Sequence, residues 1–286
     1  MPELPEVETI AADIRPHLEG RTITVVRVFK PDILKKTSRA TFQRAVAGRR
    51  VTRVWRRAKN LVIDLDNGRR IVIQPGMTGS FQVSGARGRG SKARKPGPRP
   101  PAPDPYDVIH FTLDNGAIAR YHDVRRLGRV YLFTPKQWDR HDAAIGPEPL
   151  DAAFTAEHFQ ARLKGRRLMI KKAIMDQRVL AGVGNIYASE ALWMAGVDPS
   201  RESSRLSAGE AARLHRAIAE VLQRSIEGRG TTFRDYRTGT GEPGDYQGRL
   251  AVYDRAGEPC LRCGRRIALT HAIDARSSYF CPGCQH

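Results

Sequence analysis

Four cysteines close the chain: Cys260, Cys263, Cys281 and Cys284, spaced C-x2-C, 17 residues, C-x2-C. Two thiolates from each of two tight turns form the donor set of a tetrahedral zinc ion. Gly264 and Gly283 stand where such turns need a permissive backbone. Four thiolates fill the shell and leave no position for water, so one Zn2+ here is structural, and a module with so small a core needs such a staple. Two disulfides or reduced thiols are the alternatives. At the other end the chain reads Met1-Pro2-Glu3-Leu4-Pro5-Glu6. Removal of a methionine that precedes a small residue leaves Pro2 with a free secondary amine. An α-amino group titrates near pH ~8 against ~10.4 for lysine, so it is far more often neutral and nucleophilic at pH 7. Attack of such an amine on the anomeric carbon of a sugar leads to an iminium, an electron sink that acidifies the neighbouring carbon and permits elimination of a leaving group beyond it. Glu3 adjoins the amine as a general acid or base, and Glu6, one turn on, could complete a carboxylate pair. The alternative is a helix-starting proline followed by acids that suit a helix N-terminus, and on these residues alone that structural reading carries more weight.

The charge balance is 49 Lys+Arg against 30 Asp+Glu, a formal +19. Such a surplus is the footprint of a polyanion binder. A basic proteome or a basic tail would give the same total, but the bases run the length of the chain, which a tail does not explain. At 286 residues, 40% hydrophobic and 7% aromatic, the chain is long enough for two cored domains and a small appendage. No apolar run approaches the ~20 residues of a membrane span, and the acidic start is unlike a signal peptide. The expectation is a soluble cytosolic protein without a membrane partner.

The elements that must position these groups follow from periodicity. Val7, Ile10, Ile14 and Leu18 repeat at helical spacing, closed by Gly20. Strand-like runs follow at Ile23–Phe29, Val51–Trp55, Leu61–Leu65, Arg70–Gln74, Ile109–Leu113, Ile118–Tyr121 and Val130–Phe133. Asp66-Asn67-Gly68 and Asp114-Asn115-Gly116 have hairpin-turn chemistry, so a sandwich or barrel is expected. Ser84–Pro105 is rich in Gly, Pro, Arg and Lys with almost nothing apolar. It reads as a disordered basic loop, either a plain linker or an auxiliary contact to a nucleic-acid backbone. From about Pro135 the period is helical. Leu206–Ile226, with Ser207 as N-cap and Gly228 after its end, is the clearest helix. Gly182–Ala195 is another, begun through Gly182-Val183-Gly184-Asn185, where free backbone N–H groups make a ready phosphate clamp. Arg229–Arg249 is irregular.

Taken together, Met1 to Thr9, Arg56-Arg57-Ala58-Lys59, Gly182-Val183-Gly184-Asn185-Ile186-Tyr187-Ala188-Ser189-Glu190, and Arg276 ahead of Cys281-Pro282-Gly283-Cys284-Gln285 resemble formamidopyrimidine-DNA glycosylase. The resemblance runs from first residue to last and rests on unrelated motifs in the family's order. It implies an α+β multidomain fold: an N-terminal antiparallel β-sandwich with a leading helix (1–134), a helix–two-turn–helix domain with a lesion-capping loop (135–251) and a zinc-finger hairpin (252–286). It implies catalytic roles for Pro2, Glu3, Lys59 and Arg276, the last two through phosphates at the lesion. Asn185 corresponds to a DNA-gripping residue of the helix–two-turn–helix element.

A glycosylase must flip its nucleotide out of the stack and fill the hole. The family does so with three side chains, matched here by Met77, Arg125, which would read the orphaned cytosine, and Leu127, where the family usually has Phe. Tyr106 stands where a DNA-contacting His is usual; both departures leave the lesion preference open. Arg166, Arg167 and Lys171 fall in a stretch like the family's basic segment near the lesion pocket, or form a solvated face. Gly230-Thr231-Thr232 through Tyr246-Gln247 resembles the loop whose amides read an oxidised purine. The expected function is therefore a bifunctional glycosylase and abasic-site lyase. It would act on oxidised purines in duplex DNA as a monomeric, nucleoid-associated bacterial enzyme. The alternatives are an oxidised-pyrimidine preference, or a DNA-binding protein on the same scaffold without catalysis, against which Pro2, Glu3, Lys59 and Arg276 all stand intact.

Overall fold

The computed structural model describes residues 1–85 and 104–286. The basic stretch expected as a loop over Ser84–Pro105 thus lies mostly outside the described residues. The chain divides into two compact units. One comprises Met1–Pro2, Glu6–Arg140 and Thr232–Gly244; the other comprises Glu3–Pro5, His141–Thr231 and Asp245–His286.

In the first unit, helix α1 (Leu4–Leu18, of which Glu6 onward belongs here) leads into strands β1 (Thr22–Val28) and β2 (Leu34–Lys35), helix α2 (Arg39–Val46) and strands β3 (Arg49–Arg57), β4 (Asn60–Leu65), β5 (Arg70–Gln74), β6 (Gly79–Ser84), β7 (Asp107–Leu113), β8 (Ile118–Asp123) and β9 (Arg129–Phe133). The strand order is β2-β9-β5-β4-β3-β1-β7-β8-β6. Among the described strands all pairings are antiparallel except β2 with β9. Strands β1 and β3 pair only at Thr22↔Arg50 and Ile23↔Arg49. At this narrow junction the order separates into two layers sharing one core: Val54, Ile63, Ile71, Ile73 and Val130 from one, Val26, Phe81, Ile109, Phe111 and Tyr121 from the other. This is the expected sandwich. Val7, Ile10, Ile14 and Leu18 of α1 join that core, as their 3.6-residue period requires, and so does Tyr236 from the returning segment Thr232–Gly244.

The second unit contains α4 (Ala156–Leu163), α5 (Ile170–Met175), α6 (Asn185–Ala195), α7 (Ala208–Glu227) and a hairpin of β10 (Ala268–Thr270) and β11 (Ser278–Phe280); the short α3 (Pro135–Asp142) bridges the unit boundary in sequence. Ser207 caps α7 in a reciprocal capping box with Glu210. Ala211, Leu214, Ile218, Val221 and Leu222 form the buried stripe of α7. Helix α6 starts at Asn185, so Gly182–Gly184 is the turn before the helix rather than its first residues. Between α5 and α6, Gln177 ties the double turn together: its Nε2 donates to Met175 O and Val183 O, and its Oε1 accepts from Gly182 N. This is the expected helix–two-turn–helix element. Among the described residues no helix is long and apolar enough to cross a membrane.

Candidate active site

Glu3 is almost fully buried. Its Oε1 accepts the backbone N–H of Ile186 at 3.1 Å, in the first turn of α6, where unpaired N–H groups and the helix dipole favour an anion. The two glycines before the helix make this approach possible. A Cβ on Gly184 would overlap the Glu3 carboxyl group, and one on Gly182, at φ +78°, would lie 2.6 Å from Leu4 Cβ. Leu4 N also donates to Gly182 O at 3.0 Å. The Gly-Val-Gly motif is thus a cradle for residues 3 and 4, and its anion is a carboxylate of the chain itself. Pro2, also buried, immediately precedes this carboxylate.

The same helix start meets the zinc hairpin. Asn185 Nδ2 donates to Ser277 O at 3.0 Å, while its Oδ1 is buried without a hydrogen bond. Lys171 of α5 is 0% exposed, its Nζ bound to Ser277 O (3.1 Å) and Ser278 Oγ (2.7 Å). Burial lowers its pKa to about 8, against the pull of the Asp274 and Glu3 carboxylates and with that of the Arg276 guanidinium. Lys171 therefore tethers the hairpin, whereas Arg167 of the same basic stretch is exposed and half-buried Arg166 donates to Arg162 O. Arg276 lies one residue before this tether, more than half exposed, with Asp274 Oδ2 3.8 Å from its Nε.

Within the first unit Lys59 is buried on the two-residue turn between β3 and β4. Ala58 takes φ +52°, a conformation that costs a non-glycine residue about 1 kcal/mol. Arg56 holds it there: its Nη1 donates to Ala58 O, and its Nε pairs with Glu8 Oε2 at 2.9 Å. Asn60 Nδ2 closes the turn on Arg57 O.

Met77, Arg125 and Leu127 come together on two adjacent loops, with Arg125 Nη1 3.9 Å from Met77 Sδ. Met77 is 37% and Leu127 53% exposed. The frame beneath them is Asp123, fully buried. Its Oδ1 accepts from Thr78 Oγ1 (2.5 Å) and Arg126 N (3.1 Å), and its Oδ2 from Gly128 N (2.8 Å) and Tyr121 OH (3.4 Å). Thr78 Oγ1 in turn accepts Arg125 N. The loops touch backbone to backbone, since a Cβ on Gly76 would fall 2.6 Å from Gly128 N. Burial beside the Asp123 carboxylate pushes the Tyr121 phenol far above its usual range. Sequence reasoning passed over Asp123, although a lone acid ahead of Arg125-Arg126 was a visible signal.

Tyr106 is half exposed on a turn built from carboxylates: Asp104 Oδ1 accepts Tyr106 N, and Asp107 Oδ2 accepts Asp104 N and bonds His110 Nε2 at 2.7 Å. Burial nevertheless keeps the His110 pKa below its usual value. Glu190 ends the Gly182–Glu190 motif, but the sequence assigns it no role of its own; buried in α6, its carboxylate accepts the backbone N–H groups of Ala251, Val252 and Tyr253 and anchors the chain as it enters the cysteine module.

The four cysteines are unpaired, with all Sγ atoms within 4.8 Å of one another. The separations Cys263–Cys281 (3.4 Å) and Cys260–Cys284 (3.9 Å) are far beyond a disulfide. They match the ~3.8 Å edge of a tetrahedron built on ~2.3 Å Zn–S bonds. The donor set fits one structural Zn2+.

Residues 1–130 match the family model of the formamidopyrimidine-DNA glycosylase N-terminal domain, 145–236 that of its H2TH domain, and 257–286 that of the zinc finger found in FPG and IleRS. Formamidopyrimidine-DNA glycosylases of Methylococcus capsulatus and Chloroflexus aurantiacus are 42% and 41% identical over 100% of this chain and 100% and 98% of theirs. The FPG structure from Thermus thermophilus superposes with TM-score 0.84 at 36% identity, covering 99% of this chain and 98% of that one. A Lactococcus lactis FPG mutant in complex with Fapy-dG containing DNA gives 0.86 at 29%, covering all of both chains. With three family domains in order and full-length relatives at about two-fifths identity, this chain belongs to the formamidopyrimidine-DNA glycosylase family of zinc-finger DNA-repair enzymes.

Proposed function

We propose that this glycosylase excises oxidised purines, 8-oxoguanine and formamidopyrimidines, from duplex DNA and then cleaves the abasic strand, acting as a monomer on the bacterial nucleoid. The observation that carries this reading is the Glu3 carboxylate, fixed by Ile186 N–H in a cradle that only glycine permits, directly after Pro2. The freed Pro2 amine attacks C1′; the C1′–N bond breaks and the base leaves with a proton. The nitrogen loses its own proton, and its lone pair then breaks the C1′–O4′ bond; O4′ leaves as a hydroxyl by taking up a proton, and the opened sugar is held as the C1′=N iminium. Glu3 moves protons at the sugar. Loss of the C2′ proton expels the 3′ phosphate, a second elimination expels the 5′ phosphate, and water releases the amine. Lys59, held on its locked turn, and the exposed Arg276 hold the flanking phosphates. Met77, Arg125 and Leu127 fill the vacated stack, with Arg125 on the orphaned cytosine. Asn185, Arg166, Arg167 and Tyr106 contact the DNA backbone, while Lys171 acts by holding the hairpin at Ser277 and Ser278. The relatives with solved structures include complexes with Fapy-dG and abasic-site DNA, which supports both halves of the reading.

Borohydride trapping on a duplex with one 8-oxoguanine opposite cytosine tests it. A covalent complex is expected, weaker for Pro2→Gly and absent when the initial methionine is retained. Undiminished crosslinking by the methionine-retained protein would refute Pro2 as nucleophile. Leu127 and Tyr106, which depart from the residues usual at these positions, leave an oxidised-pyrimidine preference open as the second reading. Faster excision of 5-hydroxycytosine than of 8-oxoguanine would establish that second reading.

A further inference from the structure

Helix α6 is fastened to the cysteine module along its length. Asn185 at its first turn bonds Ser277 O, Glu190 at its middle holds Ala251 to Tyr253, and at its C-terminal end His286 N donates to Gly196 O. Between the last two, Trp193 reaches the metal-binding sulfurs. Its indole Nε1–H donates to Cys260 Sγ at 3.4 Å, and Trp193 packs on the buried cluster of Val252, Cys260, Ile267 and Cys281. Cys260 Sγ also accepts Arg262 N at 3.4 Å. The Arg262 guanidinium lies over the indole, 4.5 Å from the ring centroid, and its two terminal nitrogens point to Trp193 O and Met194 O at 3.4 Å.

The charges explain why an arginine stands here. Four thiolates around Zn2+ carry a net charge of −2, and the C-terminal carbonyls of α6 form the negative pole of its dipole. The two would repel; the guanidinium at the Trp193 and Met194 carbonyls offsets the helix pole and stacks on the ring whose N–H reaches the thiolate. An N–H donated to a metal-bound thiolate delocalises its charge and fixes its direction, and such outer-shell bonds typically contribute about 10–100-fold to metal affinity.

We infer that Trp193 is an outer-shell positioning residue of the zinc site, with Arg262 as its clamp, so that zinc retention is tied to the helix whose other end cradles Glu3. Trp193→Phe keeps an aromatic ring but removes the N–H. In the full-length zinc-loaded protein, release to excess chelator, followed by the colour of the zinc–chelator complex, should be about tenfold faster for Trp193→Phe, and faster by a smaller factor for Arg262→Gln. In the cobalt-exchanged protein the thiolate-to-cobalt charge-transfer bands of Trp193→Phe should move to lower energy, because the sulfur loses a hydrogen bond; a purely space-filling indole would leave them in place. Wild-type release kinetics in Trp193→Phe, or unmoved cobalt bands, would each overturn the inference. Neither readout involves excision, so the inference stands or falls separately from the lesion reading.

Discussion

Glu3 and Arg125 are both charged groups to which the proposed chemistry gives a part, yet Glu3 is 4% exposed and bonded to a helix N-terminus while Arg125 is in solvent beside Met77. In the first region rigidity reaches the functional atoms themselves: a carboxyl group is pinned against Gly184 with no room for a methyl group. In the second it stops one layer below, at Asp123, and the side chains above remain exposed. A proton-moving group must be in place before the substrate arrives, and pre-organisation of that kind is worth several powers of ten in rate. Side chains that enter a base stack need firm footing but must leave their tips uncommitted until the hole exists.

The largest break in this contrast is expected at Gly184. Gly184→Ala should lower single-turnover excision by roughly 1000-fold, in line with the displacement of a pre-positioned group, while zinc content stays near one per chain. Excision within tenfold of wild type would mean that the cradle is loose. Asp123→Ala strips four donors of their acceptor, and leaving buried partners unpaired costs about 3 kcal/mol or more. Urea unfolding should show that loss in the sandwich unit, and a change below about 1 kcal/mol would remove Asp123 as the frame.

A smaller effect concerns pH. The Lys171 pKa is lowered to about 8 in the folded chain, so above pH 8 the unfolded chain holds a proton that the folded chain has released, and stability gains with rising pH until the unfolded lysine also titrates near ~10.4. Between pH 8 and 9.5 the wild type should gain at most about 2 kcal/mol relative to Lys171→Met, and parallel stability curves for the two proteins would disprove the shift. The smallest effect belongs to the exposed tips. Arg125→Ala should compress the preference for 8-oxoguanine opposite cytosine over adenine by about tenfold, since cytosine offers two acceptors to a guanidinium fork and adenine does not. Arg126→Ala is the control, and equal slowing on both substrates would make Arg125 a backbone clamp instead.

Much of this architecture was legible because it rests on local rules. The cysteine spacing, the period of α1 and the Ser207 cap each follow from a few neighbouring residues. Helix α2 was not legible, because its eight residues bury only Phe42 and Val46. Strand β6 opens on Gly79 and alternates only Phe81 and Val83 inward. Residues that act by convergence were also hidden. Asp123 reads as one more charge beside two arginines until Gly76 and Gly128 bring their backbones together around it. The Gly-Val-Gly run did signal an anion at a helix start, but nothing local to it says that a residue more than 180 positions earlier supplies the carboxylate.

The return of Thr232–Gly244 to the first unit has a consequence for biosynthesis. A ribosome releases the sandwich strands early, but the Tyr236 side chain that completes their core is encoded about a hundred codons after β9. Until it emerges, the apolar surface that Tyr236 covers is open to chaperones and to neighbouring nascent chains. The gene should therefore not divide cleanly near residue 140 into two halves that each yield folded protein, and premature stops anywhere before Tyr236 should send the strand-rich fragment to aggregation or proteolysis.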